Sequence, residues 1–321
     1  MDDWVVGIDL GATKIALGLV RPESSGAAGE RIGARDRFPT APAAGPEAAV
    51  ERMAQAIERL SASVPGRGRL RAIGICTPGT IDFEAGVVLD PPNLTGWRNV
   101  PLGQMLSSGL GLPVALEHDA KASGLGEHYY GAGRGARSMV YIVVGTSVGA
   151  SIIIDGQLYH GMCGSAGEVS HITIDPQGER CSCGSVGCVE TFTSGPWLAR
   201  RFQSLLDRDG VPEAERPAGS VTGETVTGLA GLGDARALEV MERAGEALAT
   251  GIGSLAMILD IDLYVVGSSV AKCGDVLLGP ARLAVHRHAH RSVAQRVRIL
   301  CSDLSDDGPI LGCAWLARQL L

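Results

Sequence analysis

The chain has 321 residues, a formal net charge of -7 and a sequence pI of about 5.5. Hydrophobic residues make up 45% of it and charged residues 20%, which is typical of a globular protein with a core. An acidic chain of this kind is not expected to bind nucleic acid or an anionic membrane, and no run of about 18 uninterrupted apolar residues predicts a spanning helix.

The first half of the chain alternates apolar β-branched segments with helical patterns. Residues 5–10 and 14–20 predict two strands joined by a glycine turn. Apolar spacing after Pro46 predicts a helix over 47–60. Further strands are predicted over 31–38, 70–76 and 113–117, and a further helix over 120–129.

The second half repeats part of this pattern. Strands over 138–144 and 150–154 flank the turn GTSVG, as in residues 5–20. Strands are also predicted over 263–266 and 296–300, and a closing helix over 310–321. A long helix over 235–259 is predicted to bury one apolar face, comprising Leu238, Met241, Leu248, Ile252, Leu255 and Ile258. This alternation predicts an α/β fold, and the length favours two domains of about 150 residues each.

The amino terminus and the cysteines bear on the compartment. The opening MDDWVVGIDLG lacks the basic segment of a secretory signal, so we expect a cytoplasmic protein. Three of the eight cysteines crowd into CSCGSVGC, which in such a protein favours metal ligation over disulfides. The other five lie in apolar contexts and are interpreted as core residues: Cys76, Cys163, Cys273, Cys301 and Cys313.

Two glycine turns have the chemistry of phosphate binding. In GIDLGATK, Gly11 permits close approach of backbone N–H groups to phosphate oxygens, and Thr13 adds a hydroxyl donor. Asp9 suits Mg²⁺. The alternative is an ordinary glycine turn capped by Asp9. The second turn, GTSVG at 145–149, favours the phosphate interpretation because the same chemistry then occurs twice.

Asp119 is the candidate general base. It lies in EHDA, where a predicted strand ends and a helix begins, and such a carboxylate can accept a hydroxyl proton during phosphoryl transfer. The alternative is a plain N-cap aspartate, and position alone does not decide between the two.

A metal site is predicted from one imidazole and three thiols. His171, Cys181, Cys183 and Cys188 form the closed ligand set of structural zinc, the alternative being reduced surface thiols. Zinc on one ring nitrogen of His171 would orient the other toward a ligand hydroxyl. Glu168 and Glu190 flank this set, so the region suits a polyhydroxylated ligand, although each glutamate singly is more commonly a surface residue.

These motifs together resemble the ROK sugar kinases over essentially the whole chain. The resemblance rests on D-x-G-x-T-K at 9–14, TPG at 77–79, PNLTGW at 92–97, the aspartate of EHDA, VGTSVG at 144–149, G-x-AGE-x-x-H at 164–171 and C-x-CG-x-x-GC-x-E at 181–190. It implies an α/β, two-lobed, actin-like or hexokinase-type (ribonuclease H-like) fold with a structural zinc loop. The small lobe would comprise residues 1–118 and 306–321, and the large lobe, carrying the zinc loop, residues 119–305.

The resemblance also implies a role for each motif. Asp119 would be the catalytic base of an ATP-dependent kinase that phosphorylates the 6-hydroxyl of a glucose-like hexose, in a homodimer or homotetramer. Residues implied to contact the sugar are Gly79, Asn93, His118, Asp119, Glu168, His171 and Glu190. Residues implied to serve ATP and Mg²⁺ are Asp9, Gly11, Thr13, Lys14, Gly145, Thr146, Gly267 and Ser268.

One departure from the family pattern leaves the identity of the acceptor sugar undetermined. His118 stands where the family usually has asparagine, so an amino sugar or a glucose-like C7 cyclitol remains an alternative to glucose. ROK proteins also include sugar-sensing repressors, which need a DNA-binding domain ahead of the first hairpin; here that hairpin begins within ten residues, so we expect a kinase. A catalytically silent sugar-binding protein is the third alternative, and Asp9, Thr13 and Asp119 together argue against it.

Overall fold

The computed structural model describes residues 3–21, 32–64, 68–91 and 93–321. The chain divides into two compact units, each with its own sheet and core. Unit 1 comprises Met1–Gly135, Gln157–Ser165 and Asp303–Leu321; unit 2 comprises Ala136–Gly156 and Ala166–Ser302. The sequence predicts the lobe boundaries at 118 and 306 instead.

Unit 1 is built on a five-stranded sheet in which three adjacent strands are parallel. Its elements up to residue 130 are β1 (Asp3–Leu10), β2 (Lys14–Val20), β3 (Ile32–Pro39), α1 (Gly45–Ala62), β4 (Arg69–Thr77), β5 (Thr80–Asp82), β6 (Val87–Asp90), α2 (Leu102–Leu110), β7 (Val114–His118) and α3 (Asp119–Tyr130). The strand order is β3-β2-β1-β4-β7. The hairpin β1–β2 is antiparallel, whereas β4 and β7 add in parallel to β1.

Unit 2 repeats this arrangement. Its elements, with the short β10 that opens the unit 1 segment 157–165, are β8 (Met139–Val144), β9 (Val148–Ile154), β10 (Gln157–Leu158), α4 (Glu190–Thr193), α5 (Gly195–Arg208), α6 (Gly223–Gly231), α7 (Ala235–Leu259), β11 (Leu263–Gly267), α8 (Asp275–His288), α9 (Arg291–Ala294) and β12 (Arg298–Cys301). The antiparallel hairpin β8–β9 is followed by β11 and β12, both parallel to β8. The α/β class and the internal repeat predicted from the sequence are therefore confirmed.

The chain ends in helix α10 (Gly308–Arg318), which packs between the sheet of unit 1 and α3. These contacts are so close that they exclude side chains. A Cβ on Gly74 of β4 would lie 1.8 Å from the Cys313 carbonyl oxygen, and one on Gly126 of α3 would lie 2.2 Å from the Gly308 carbonyl oxygen. Because α3 packs here, it belongs with unit 1, whereas the sequence assigns residues from 119 onward to the other lobe.

Two interpretations of burial are wrong. In α7, Leu238 is 42% exposed and Ile258 is 76% exposed, because the helix buries mainly its small residues and its middle turns. Cys163 and Cys301 are exposed as well. Cys301 ends β12, the outermost strand of its sheet, where only Ile299 of the strand is buried. No helix among the described residues combines the length and apolarity needed to cross a membrane.

Candidate functional site

The site residues of unit 1 lie where its parallel strands end. Asp9 pairs in register with Cys76 of β4, and Cys76 pairs with Glu117 of β7. Asp119 follows β7 directly as the first residue of α3. The carboxyl ends of parallel strands form the usual ligand-binding edge of such sheets. Two aspartates widely separated in sequence are thereby brought to one edge.

Asp119 is oriented by the start of α3. The Ala120 N–H donates to Asp119 Oδ1 at 2.6 Å, and His118 Nδ1 lies 3.2 Å from the same oxygen. The side chain is 41% exposed, so a ligand can reach it. Partial withdrawal from solvent raises the pKa of Asp119, whereas His118 and the Ala120 N–H lower it. A reachable carboxylate with a raised pKa and a fixed direction suits proton acceptance near neutral pH.

Asp9 is partly buried and interacts electrostatically with Asp119. Burial is the main cause that raises the pKa of Asp9 to about 6, and the negative charge of Asp119 adds to it. Lys14 and the Cys76 thiol have the opposite effect. Two carboxylates that repel one another are suited to a hard divalent cation, which prefers oxygen ligands and relieves the repulsion. The chemistry of this pair therefore fits Mg²⁺.

A buried acid–imidazole pair supports the end of β7. Glu117, whose side chain is 3% exposed, accepts the His118 N–H at 2.8 Å through Oε1. Its Oε2 lies 2.7 Å from His160 Nε2, and the His160 ring stacks on Phe83 with centroids 4.0 Å apart. The pair fixes the backbone immediately before Asp119. No sequence motif indicates this pair, because Glu117 and His160 are 43 residues apart.

The remaining predicted residues of unit 1 lie in turns. The Gly11 N–H donates to the Lys14 carbonyl at 2.9 Å, which closes the β1–β2 turn and leaves Thr13 exposed. Gly79 follows β4 with a φ of 85°, a conformation that favours glycine. Asn93 is exposed, and the preceding Pro92 lies outside the described residues.

The four predicted metal ligands of unit 2 form one cluster. Their ligand atoms all lie within 4.8 Å of one another. Cys181 Sγ lies 3.7 Å from His171 Nδ1, and Cys183 Sγ lies 3.7 Å from Cys188 Sγ. Zinc–sulfur bonds of about 2.3 Å in a tetrahedron separate ligand atoms by about 3.8 Å, so the donor set fits zinc.

Two carboxylates flank this cluster: Glu168 shortly before His171, and Glu190 shortly after Cys188. Glu190 begins α4, and its Oε1 lies 4.0 Å from Cys181 Sγ. The Glu168 carbonyl accepts the His171 N–H at 3.2 Å, and the Glu168 side chain is exposed. The coordinating nitrogen would be Nδ1, so Nε2 of His171 is available to a hydroxyl. Unit 2 thus groups one imidazole and two carboxylates around a loop whose four donor atoms could hold a metal ion.

Unit 2 also contains a cavity of about 390 Å³ at the ends of β8 and β11. It is lined by Gly145, Thr146, Gly195, Pro196, Ala199, Val221, Thr222, Gly223, Glu224, Ser269 and Val270. Gly145 approaches the β11 turn so closely that a Cβ would lie 2.8 Å from Ser268 Oγ. The first residues of α5 and α6 line this cavity, and helix N-termini bind phosphate readily. Gly195, Thr222 and Gly223 were missed from the sequence because no turn motif marks them.

The ROK family model matches residues 5–320. A glucokinase of Halalkalibacterium halodurans is 34% identical over 99% of this chain and 96% of its own length. A ROK family glucokinase from Streptomyces griseus, solved with glucose and AMPPNP, superposes with a TM-score of 0.81 at 30% identity, covering 98% of this chain and 99% of that one. A xylose repressor of Caldicellulosiruptor bescii is 32% identical over 75% of this chain and 61% of its own length.

Proposed function

Because the chain belongs to the ROK family, we propose that it is an ATP-dependent sugar kinase that phosphorylates the 6-hydroxyl of a glucose-like hexose. The observation that carries the proposal is Asp119: a reachable carboxylate with a raised pKa, held by the Ala120 N–H at the start of α3. The glucokinase relatives support the reaction class.

Asp119 would accept the proton of the 6-hydroxyl as that oxygen attacks the γ-phosphorus of ATP. The oxygen–phosphorus bond to the acceptor forms while the bond to the β-phosphate oxygen breaks, releasing ADP. Positioned general bases contribute about 10²–10⁴-fold to such rates. The Glu117–His160 pair keeps the backbone before Asp119 in place during this transfer.

The sugar would be held by both hydrogen-bond donors and hydrogen-bond acceptors. In unit 2, Glu168, His171 Nε2 and Glu190 would bind hydroxyls, and zinc on the four ligands would act only as a brace for the loop. In unit 1, Gly79, Asn93 and His118 would contribute. The His118 ring replaces the usual family asparagine, so an amino hexose remains a candidate acceptor beside glucose, and a C7 cyclitol a second one.

The nucleotide would occupy the cavity at the ends of β8 and β11, with Gly145 and Thr146 at the phosphates and the Gly267–Ser268 turn near the adenosine. Gly11, Thr13 and Lys14 would meet the phosphates from the β1–β2 turn. Asp9 would hold Mg²⁺, which supplies charge neutralisation for the phosphate oxygens. We also expect a homodimer or homotetramer, which light scattering tests.

A coupled ADP-release assay tests the proposal. Glucose, mannose, glucosamine, N-acetylated hexoses and C7 cyclitols are offered singly with Mg²⁺ and ATP. The proposal expects acceptor-dependent ADP release for at least one of them and its loss in Asp119→Asn. Sugar binding without ADP release across the whole panel would instead identify a catalytically silent sugar-binding protein.

A further inference from the structure

A second cavity of unit 2, of about 170 Å³, is lined by three arginines. The three arginines are Arg200, Arg201 and Arg243, and they share the walls with Glu179 and Glu239. The lining residues come from α5, from α7 and from the segment 171–190, which we call the cysteine loop. None of them lines the larger cavity described above. The kinase mechanism uses none of these side chains.

Arg201 is half-buried and has no carboxylate partner among the described residues. Its Nε donates to the Thr191 carbonyl at 3.1 Å, and its guanidinium lies 4.2 Å from the centroid of the Phe192 ring. Burial is the main cause that lowers the pKa of Arg201; Glu179 and Asp175 oppose this, and Arg243 and Arg200 add to it. A partly desolvated cation beside two like charges is unfavourable unless an anion joins it.

The acids at the cavity do not satisfy the other two arginines. Arg200 lies 3.4 Å from Glu179, and Arg243 lies 3.7 Å from Glu239. Both distances exceed the 2.7–3.2 Å or so of a good N–H···O hydrogen bond. Glu239 is moreover shared with a fourth arginine, Arg208, at 3.5 Å. Guanidinium donors of Arg200 and Arg243 therefore remain available to a further acceptor.

We propose that this cavity binds a phosphate dianion, either as free phosphate or as the phosphate of a small monoester. Guanidinium groups match the oxygens of phosphate with paired, charge-assisted hydrogen bonds. The volume equals about six times the 30 Å³ or so that a water molecule occupies in the liquid, which is room for the phosphate and part of an organic group. Trp197, Leu205 and Val240 provide an apolar wall for that group.

The site is connected to the cysteine loop through backbone. Arg201 bonds Thr191, one residue after Glu190 in α4, and Glu179 lies within the loop itself. Binding of an anion to Arg201 would therefore stiffen the segment that carries Glu190. This consequence rests on the proposed function, whereas the binding site does not.

Isothermal titration with inorganic phosphate and with glucose 6-phosphate, at constant ionic strength, tests the site. Phosphate could also bind at the proposed nucleotide-binding turns and release heat there. The arginine variants distinguish the two sites, because they alter only this cavity. Arg201→Gln and Arg243→Gln should each weaken binding at this cavity about tenfold or more, because each removes a charge-assisted hydrogen bond. Arg137→Gln, which removes an exposed arginine of the same unit, is the matched control and should not.

Binding of the ester that is tighter than that of phosphate and is weakened by Arg243→Gln would assign the site to a monoester, and equal Arg243-dependent binding of the two probes would assign it to free phosphate. Arg243 is exposed, so its variant is expected to fold even if Arg201→Gln does not. The proposal is overturned if wild-type protein takes up neither probe at about 20 mM, or if Arg243→Gln binds as tightly as wild type.

Discussion

Asp9→Asn is expected to stabilise the protein at neutral pH while removing a residue the proposed reaction needs. In the folded protein the pKa of Asp9 is raised from 3.8 to about 6, first by burial and then by the charge of Asp119. The folded state thus binds a proton at Asp9 more tightly than the unfolded state. The stability this adds is complete below the unfolded pKa of 3.8 and is lost as pH rises through about 6.

The size of the effect follows from the shift. About two pKa units at about 1.36 kcal/mol each give roughly 3 kcal/mol as the cost of the ionised Asp9 above pH 6 or so. Asparagine carries no charge, so the variant lacks the destabilisation caused by the ionised carboxylate. The free energy of unfolding of the variant should therefore exceed that of wild type by up to about 3 kcal/mol at pH ~7.5. The difference should disappear as pH approaches about 4.

Urea denaturation at several pH values measures this difference. Three of the four tryptophans lie in unit 1 (Trp4, Trp97 and Trp315), so fluorescence mainly follows the unit that contains Asp9. Asp90→Asn, at an exposed carboxylate paired loosely with Arg98, is the matched control and should change stability little. The reasoning is refuted if Asp9→Asn is no more stable than wild type at pH ~7.5, or if its advantage is the same at pH ~4.5.

Two further predictions concern the fold and the metal loop. Gly74→Ala should lower the melting temperature of the transition that includes unit 1 by about 5–10 °C, because its Cβ meets the Cys313 carbonyl and overpacking costs about 1–3 kcal/mol; Gly109→Ala, at an open helical position of α2, should leave it equal or slightly higher. Unfolding at equal temperatures in the two variants would contradict this packing. Chelation that removes the metal from His171 and the three thiols should expose the loop 171–190 to protease and abolish sugar affinity, whereas full activity in protein shown to be metal-free would contradict the bracing role.

The sequence predicted those features that depend on local pattern. The bounds of β2 and α7 agree residue for residue with the predictions, because each has an uninterrupted apolar period and clear ends. The metal cluster could be predicted because its ligands span only 18 residues, close enough for one glycine-containing loop to join them.

Features formed by distant segments could not be predicted. Helix α8 contains Pro280, which in sequence is typical of a helix end, yet packing against α7 keeps it helical. The Glu117–His160 pair and the arginine cavity join side chains that no periodicity relates. The assignment of α3 to unit 1 likewise depends on a glycine contact, between Gly126 and Gly308, that is visible only once both helices are in place.

The central claim is that Asp119 takes the acceptor's proton, and turnover compared with sugar affinity in Asp119→Asn tests it most directly. Asparagine has nearly the same shape but is a far weaker base, so kcat should fall by about 10²–10⁴-fold while the Kd for the sugar changes little. A variant that binds the sugar normally and turns over within about tenfold of wild type would contradict the claim.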